Sequence, residues 1–180
     1  GLASDINIAY ESDGISKTNL GTETVNLTDL TVDASDLNLL DSNNTTGTIN
    51  ASGVTTITGS AIDINTAYAS DGITGLGDEN ITLDTSTVLA SDLNTLDNNT
   101  TGIINVDSVT TIEGLASDIN IAYESDGISK TDPLNAGTES VILTDSTVKV
   151  SDLNALDVNT TGPIDASFVT TITGSAFDIN

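Results

Sequence analysis

Residues 54–65 read VTTITGSAIDIN, and close copies recur at 109–120 (VTTIEGLASDIN) and at 169–180 (VTTITGSAFDIN). Each copy ends in Asp-Ile-Asn, part of a wider Asp-Ile/Leu-Asn series that begins at Asp5, Asp36, Asp63, Asp92, Asp118, Asp152 and Asp178. Counted from Asp5, every second member of the series follows the previous one by 58, 55 and then 60 residues. A period of this kind predicts stacked structural units, because one unit cannot bury its own apolar face.

The spacing divides the chain into three double repeats, residues 1–58, 59–113 and 114–173, followed by the start of a further repeat at 174–180. Each double repeat contains a long and a short unit that align with each other. Neither end has the polar cap that a solenoid needs for solubility. We therefore expect a segment of a longer array.

Each unit contains a stretch in which apolar residues alternate with polar ones. Residues 48–56 of a short unit read TINASGVTT, and residues 80–88 of a long unit read NITLDTSTV. Period-two alternation predicts a strand with one buried face. The residues expected to point inward are Ile49, Ala51, Ile104, Val106, Ile164, Ala166, Val25, Leu27, Ile81, Leu83, Val141 and Leu143.

A short helix is expected after the strands. Segments such as ASDLNLLD (34–41) place apolar residues three apart, as at Leu37 and Leu40. The Ser before Asp suits an N-cap, and Ser60 offers an alternative S-x-x-D capping box. The Ser residues expected as caps are Ser4, Ser35, Ser91, Ser117 and Ser151.

These elements predict an α/β repeat solenoid of six coils of about 29 residues, each a β-turn-β followed by a short helix, arranged as three double repeats. Six coils stacked like sheet strands would advance roughly 29 Å. The pattern leaves open whether a double repeat forms two coils or one larger coil. We favour two, because the half-units align.

Composition excludes several classes of function. The 180 residues include 27 Asp plus Glu against three Lys, giving a net charge of −24, and no His, Cys, Met or Trp. Such a chain repels nucleic-acid phosphate and anionic membrane surfaces. No apolar run approaches the roughly 20 residues that span a bilayer, so we expect no membrane insertion. The lack of Cys and His leaves hard-cation binding through oxygen ligands as the plausible metal chemistry.

Several Asp residues recur at equivalent positions and are candidate Ca²⁺ ligands. They are Asp13, Asp71 and Asp126 before Gly in the long units, and Asp41, Asp97 and Asp157 in the short units. Ca²⁺ would neutralise carboxylates repeated along a stack. The alternative is that they act as helix caps and solvating charge. Ca²⁺ is the one cofactor that these residue types suggest. The sequence contains no EF-hand loop that would identify a specific Ca²⁺ site.

Two further residue types recur in register. Asn7, Asn38, Asn65, Asn94, Asn120 and Asn154 occupy one position in successive units. We interpret them as a ladder of amides bonding neighbouring backbone, with ligand binding as the alternative. Tyr10, Tyr68 and Tyr123 are the only Tyr residues. We interpret them as a partly buried column, with a glycan or partner contact as the alternative.

No catalytic site is indicated. Two carboxylates suffice for glycoside hydrolysis, but here each Asp or Glu has counterparts in the other units, whereas an active site is made once. We therefore expect a protein that is not an enzyme.

The segments ASDLNTLDNNTTGIINVDSVTTI (90–112) and SDINIAYESDGI (117–128) resemble the tandem repeats of very large secreted surface proteins of marine cyanobacteria and other aquatic bacteria. The resemblance covers the whole chain. It implies an extracellular or cell-surface location and a structural or adhesive role. The nonapeptide glycine–aspartate motif of calcium-binding repeats is absent, so calcium binding does not carry over.

The sequence therefore predicts a structural spacer, filament shaft or coat segment, with self-association as a variant. The alternative is an adhesin-type module that binds a surface glycan or a partner, with repeats stabilised by Ca²⁺.

Overall fold

The computed structural model describes residues 1–14, 20–129 and 137–175, in which strands and helices alternate. The helices are α1 (Ala3–Glu11), α2 (Ala34–Asn43), α3 (Ala61–Ala69), α4 (Ala90–Asn99), α5 (Ala116–Glu124) and α6 (Val150–Asn159). The strands are β1 (Val25–Asn26), β2 (Thr31–Asp33), β3 (Ile49–Asn50), β4 (Thr56–Gly59), β5 (Ile73–Thr74), β6 (Asn80–Leu83), β7 (Thr87–Leu89), β8 (Ile104–Asn105), β9 (Thr111–Gly114), β10 (Ile128–Ser129), β11 (Ser140–Leu143), β12 (Thr147–Lys149), β13 (Ile164–Asp165) and β14 (Thr171–Thr173).

The strands pair in parallel with strands of neighbouring repeats. Val25 lies opposite Ile49, and Ile49 lies opposite Ile73, so the same position of successive repeats lies side by side. Parallel neighbours need a crossover connection, and here each crossover contains a helix. Alternating strand–helix units and parallel sheets are therefore confirmed, and the architecture is of an α/β repeat type.

The described residues group into two compact units. The first is Gly1–Thr82 with Asn99–Ile103, and the second is Leu83–Asn98 with Ile104–Asn180. In the first unit, β1, β3 and β5 form a sheet, β2 pairs with β4, and α2 packs against α1 and α3. In the second unit, β7, β9, β11 and β13 form a sheet, β8 pairs with β10, β12 pairs with β14, and α5 packs against α6.

The apolar core follows the predicted alternation. The inward positions of the strands that are buried are Val25, Leu27, Ile49, Ala51, Ile81, Leu83, Ile104, Val106, Val141 and Leu143. In the last repeat, Ile164 is only half-buried and Ala166 is exposed. These two residues depart from the prediction because no described strand covers that repeat.

The second and third long units contain one more strand than the sequence pattern indicated. Residues 60–113 hold five strands, β5 to β9, with two helices, α3 and α4. The additional strand is β5, only two residues long, between α3 and the predicted β-turn-β. A pattern search misses it, because two residues are too few to display an alternation.

The predicted Ser caps are wrong for α1, α2, α5 and α6, each of which begins one residue before that Ser. Leu2, Asp33, Leu115 and Lys149 occupy the N-cap positions of these helices. At α3 the predicted Ser60 cap does form: Ser60 Oγ accepts from Asp63 N at 3.1 Å and donates to Asp63 Oδ2 at 2.6 Å. Leu has no side-chain oxygen with which to cap a helix, so the caps of α1 and α5 come from other residues.

Candidate functional site

The recurrent Asn residues connect neighbouring helices. Asn7, Asn38, Asn94 and Asn120 each donate from Nδ2 to the main-chain oxygen of the Asp in the next Asp-Ile/Leu-Asn. We call these contacts amide bridges: Asn7 to Asp36 (3.0 Å), Asn38 to Asp63 (2.9 Å), Asn94 to Asp118 (3.0 Å) and Asn120 to Asp152 (3.0 Å). Each bridge lies within one compact unit. Donor and acceptor belong to the same tripeptide of successive repeats, so the contact fixes the register of one helix against the next.

Some of these amides also use their oxygen. Asn99 Nδ2 donates to Asn65 Oδ1, and Asn159 Nδ2 donates to Asn120 Oδ1, both at 3.1 Å. In the first double repeat the equivalent atoms are Asn7 Oδ1 and Asn43 Nδ2. Both are buried and have no hydrogen-bond partner among the described residues. The sixth predicted member, Asn154, is exposed.

The three Tyr residues each donate to a Glu carboxylate that the sequence analysis did not single out. We call these contacts the Tyr–Glu clusters: Tyr10 with Glu23 (3.0 Å), Tyr68 with Glu79 (2.9 Å) and Tyr123 with Glu139 (3.3 Å). All three Tyr side chains are half-buried. Each Glu lies at one position, two residues before an inward strand residue: TETV (22–25), DENI (78–81) and TESV (138–141). That regularity was the signal available in the sequence.

Main-chain N–H groups hold the carboxylates of Glu23 and Glu79. Glu79 is only 1% exposed, and its Oε2 accepts from Gly77 N at 2.8 Å as well as from Tyr68. Its Oε1 has no hydrogen-bond partner among the described residues. Its main-chain oxygen accepts from Thr100 Oγ1 at 2.7 Å, so the following repeat contributes to the cluster. Asn44 and Thr160 make the same contact to Glu23 and Glu139, at 2.9 and 3.4 Å.

The Gly of the recurrent Thr-Thr-Gly permits this close approach of repeats. A Cβ atom at Gly102 would lie 2.2 Å from Glu79 O, and one at Gly162 would lie 2.0 Å from Glu139 O. Real Cβ atoms essentially never come within 3.0 Å of another heavy atom. The Gly of the recurrent Thr-Thr-Gly is thus required because backbone of the preceding repeat occupies its side-chain position.

The clusters perturb the Tyr hydroxyls. Burial, together with the nearby Glu139 charge, raises the pKa of Tyr123 to about 12. Burial also raises the pKa of Tyr68 and of Tyr10. Both the burial and the neighbouring carboxylate oppose the phenolate form. These Tyr residues therefore remain neutral hydrogen-bond donors at ordinary pH. A general base would instead need the phenolate form.

The structure brings some of the candidate metal ligands near one another. Ser70 Oγ donates to Asp41 Oδ2 at 2.7 Å and accepts from Gly72 N at 3.0 Å, so the Ser-Asp-Gly turn around Asp71 packs on Asp41. In the second unit a Cβ at Gly127 would lie 2.2 Å from Asp97 Oδ1, which places the turn around Asp126 against Asp97 in the same way.

Asp71, Asp126, Asp13 and Asp157 are themselves exposed. In the three described ranges, the acidic side chains do not gather into groups of three or more able to hold one ion.

Other Asp residues cap helices of a neighbouring repeat. Asp145 Oδ2 accepts from Ala116 N at 2.8 Å, and Asp29 Oδ2 accepts from Ala3 N at 3.1 Å. These two Asp residues lie in the turns that follow β11 and β1, far along the chain from the helices they cap. They supply the oxygen that Leu115 and Leu2 cannot, and an anion there is favoured by the helix dipole.

Two small cavities lie beside the Tyr–Glu clusters. One of about 100 Å³ lies beside Tyr123 and Glu139, with apolar walls that include Val109. Another of about 140 Å³ lies beside Tyr10 and Glu23. Both are well below the roughly 300–1,000 Å³ of typical small-molecule sites.

The recurrent polar side chains therefore act chiefly on the protein itself. The amide bridges, the Tyr–Glu clusters and the Asp caps join one repeat to the next within each compact unit. Throughout the described part of the chain, each helix is too short or too polar to cross a bilayer. Comparison with protein-family models, with curated proteins and with solved structures gives no match for this chain.

Proposed function

We propose that this chain is a structural repeat segment of a large extracellular surface or filament protein, serving as a spacer, shaft or coat component. Its coils form one continuous α/β solenoid, and its activity is mechanical. The proposal includes no enzymatic role. Stacked repeats supply length and stiffness, and the charge of −24 keeps the surface solvated.

The observation that carries this proposal is the use of the recurrent polar side chains. Asn38 and Asn120 donate hydrogen bonds from their side-chain amides to the backbone of the next helix. Asp145 caps a helix of the preceding repeat. The cavities beside Tyr10 and Tyr123, of about 140 and 100 Å³, are too small for a typical small-molecule ligand. Here the chemistry that recurs is that of cohesion between repeats.

The proposed solenoid has a defined length. Helices that pack side by side lie about 8–10 Å apart, whereas strands lie about 4.8 Å apart. Strands of successive repeats pair directly, as β1 pairs with β3 and β3 with β5, so the strand side advances by one strand step for each coil. Five strand steps give about 24 Å, and five steps between packed helices give up to about 50 Å. The helix side of the proposed stack is therefore the longer one.

A distance measurement between the first and last helices tests this role. Ser4 on α1 and Ser151 on α6 are both exposed and occupy the same position in their repeats. The chain has no Cys, so Ser4→Cys with Ser151→Cys gives two unique spin-label sites. Five helix steps predict a single narrow distance of about 50 Å. A broad distribution, or a mean below about 40 Å, would contradict a stiff shaft.

The main alternative is an adhesin-type module that binds a surface glycan. It requires accessible Tyr side chains, but the hydroxyls of Tyr68 and Tyr123 already bond to Glu79 and Glu139. We therefore favour the scaffold.

Calcium forms part of the proposal for the Asp71 and Asp126 turns. A Ca²⁺-specific rise in melting temperature above that given by Mg²⁺ at equal ionic strength would support it. An equal rise in melting temperature with both ions would mean that these Asp residues bind no specific ion and act only as solvated charge.

A further inference from the structure

The helices of the first unit carry large aliphatic side chains on their outer face. Ile8 on α1, Leu39 on α2 and Ile62 on α3 are 66%, 40% and 62% exposed. Leu37 on α2 faces the core and is fully buried, so the exposed side chains lie on the opposite face of the helical layer. Ile121 on α5 occupies the position of Ile8 and is 56% exposed, although α6 packs beside its helix. The exposure is therefore a property of the repeat and does not depend on where the chain begins.

The three exposed side chains lie on neighbouring helices, and we call them the outer aliphatic row: Ile8, Leu39 and Ile62. Helix α2 packs against both α1 and α3. Ile8 and Leu39 are each the sixth residue of their helix, and the amide bridge from Asn7 to Asp36 holds these two helices in register. Ile62 is the second residue of α3, about 6 Å nearer the helix start. Because packed helices lie about 8–10 Å apart, the row crosses the layer with one aliphatic side chain at each such step.

A carboxylate flanks the outer aliphatic row on each helix. Asp5, Asp36 and Asp63 are the third residues of α1, α2 and α3, and their side chains are exposed or half-exposed. The third and sixth residues of a helix are neighbours on its surface. The described residues of the first unit contain no Lys or Arg that would offset these charges. The surface therefore combines aliphatic side chains with charge of one sign.

The charge of this surface selects its occupant. A second copy of the chain carries the same −24, and an anionic lipid surface is also negative, so both are repelled. A cationic segment is attracted by the flanking Asp side chains and buries its own apolar side chains against the row. The occupant that fits both properties is a segment with Lys or Arg on either side of an aliphatic face.

The spacing of the row selects the conformation of that segment. Residues seven apart on one face of an α-helix are separated by about 10.5 Å, close to the roughly 8–10 Å between packed helices. Residues on one face of a strand recur every 6.6–6.8 Å or so, about two-thirds of that interval. A helix lying across α1, α2 and α3 can therefore place one aliphatic side chain beside each member of the row.

We propose that the outer aliphatic row is a docking surface for a cationic amphipathic helix of a partner protein, whose Lys or Arg side chains lie beside Asp5, Asp36 and Asp63. The contact is an amphipathic helix that lays its apolar face on an apolar surface. The inference goes beyond the proposed structural role, because it gives the stack a place where a second, basic protein attaches. Exposed charges contribute, so the affinity falls as salt is raised from about 0.01 M to about 0.15 M.

A synthetic peptide tests the surface on the whole chain. The probe repeats the heptad Leu-Lys-Ala-Leu-Lys-Ala-Lys three times and carries a fluorophore. One matched peptide has Glu in place of every Lys, and another has the same residues in an order that spreads Leu around the helix. Fluorescence anisotropy should show binding of the probe, no binding of the Glu peptide, and binding of the reordered peptide that is weaker by about fivefold or more.

Two pairs of variants locate the site. Ile62→Ser removes a member of the row and should raise the Kd of the probe about five- to tenfold. Leu30→Ser alters a side chain that is 68% exposed between β1 and β2, and should change the Kd by less than about twofold. Asp36→Asn should raise the Kd about two- to threefold at low salt, whereas Asp78→Asn removes the same charge just before β6 and should raise it less. Circular dichroism checks that each variant is folded.

Equal effects of Ile62→Ser and Leu30→Ser, or of Asp36→Asn and Asp78→Asn, would mean general charge attraction without a site and would overturn the inference. Equal binding of the probe and the reordered peptide, or no binding of either, would overturn it as well. The inference also fails if the unmodified chain forms oligomers in sedimentation velocity, or binds uncharged phosphatidylcholine vesicles, and Ile62→Ser abolishes this. None of these outcomes touches the distance between α1 and α6, so the structural role and the docking surface can fail separately.

Discussion

The amide bridge from Asn120 offers a quantitative test of how repeats are held together. Asn120 is buried on α5, donates to Asp152 O at 3.0 Å and accepts from Asn159 Nδ2 at 3.1 Å. Asn120→Ala removes both bonds and leaves a main-chain oxygen and an amide without partners. At about 1–1.5 kcal/mol for each bond, the free energy of unfolding should fall by about 2–3 kcal/mol. The melting temperature should fall by about 4–12 °C.

Two further variants calibrate that result. Asn94 makes the same bridge, to Asp118, but its Oδ1 has no partner among the described residues, so Asn94→Ala should cost about half as much. Ser117→Ala alters an exposed side chain on α5 and should change stability by less than about 0.5 kcal/mol. Urea unfolding followed by circular dichroism measures all three. Equal losses for Asn120→Ala and Ser117→Ala would refute the view that the amides hold the repeats in register.

Three other results are expected. Asp145→Ala removes the cap of α5 and should cost about 1 kcal/mol, with faster hydrogen exchange at the Ala116 amide; unchanged exchange there would argue against a cap supplied by another repeat. Gly102→Ala places a Cβ 2.2 Å from Glu79 O and should destabilise by about 1–3 kcal/mol, whereas Gly53→Ala, with its nearest neighbour 4.0 Å away, should not; denaturant midpoints compare them. The raised pKa of Tyr123 favours its neutral form in the fold, so the stability that this form contributes is complete below pH about 10 and is lost as the pH rises through about 12. Ultraviolet titration of tyrosinate should therefore show ionisation coupled to unfolding. Ionisation of Tyr123 near pH 10 in the folded chain would contradict the Tyr–Glu cluster.

The periodic features of the sequence correctly predicted alternating strands and helices with a repeated apolar core. Alternation placed Ile49, Ile104 and Val141 in the core, where they are buried. The repeated tripeptide located the helices, because apolar residues three apart, such as Leu37 and Leu40, mark one helical face. Such patterns are informative since burial acts on every repeat in the same way.

Contacts that join distant parts of the chain could not be read from the sequence. The cap of α5 comes from Asp145, whose carboxylate accepts a hydrogen bond from the main-chain N–H of Ala116, 29 residues earlier. No local sequence motif around Leu115 indicates this cap. The buried Glu79 was missed because composition presents Glu as solvating charge, whereas a main-chain N–H and the Tyr68 hydroxyl hold its carboxylate. The Ser before Asp was misassigned because each helix gains one extra residue, Ala or Val, ahead of it.

The proposed structural role requires the repeats to continue as one elongated stack, and small-angle X-ray scattering tests this requirement most directly. Six helices packed side by side at about 10 Å each give a rod about 60 Å long and about 25 Å wide, whose radius of gyration is close to 20 Å. A compact globule of 180 residues would have a radius of gyration of about 16 Å. In dilute, low-salt solution, where copies repel, we expect about 20 Å and a distance distribution with a long tail. A value near 16 Å with a symmetric distribution would contradict the continuous stack.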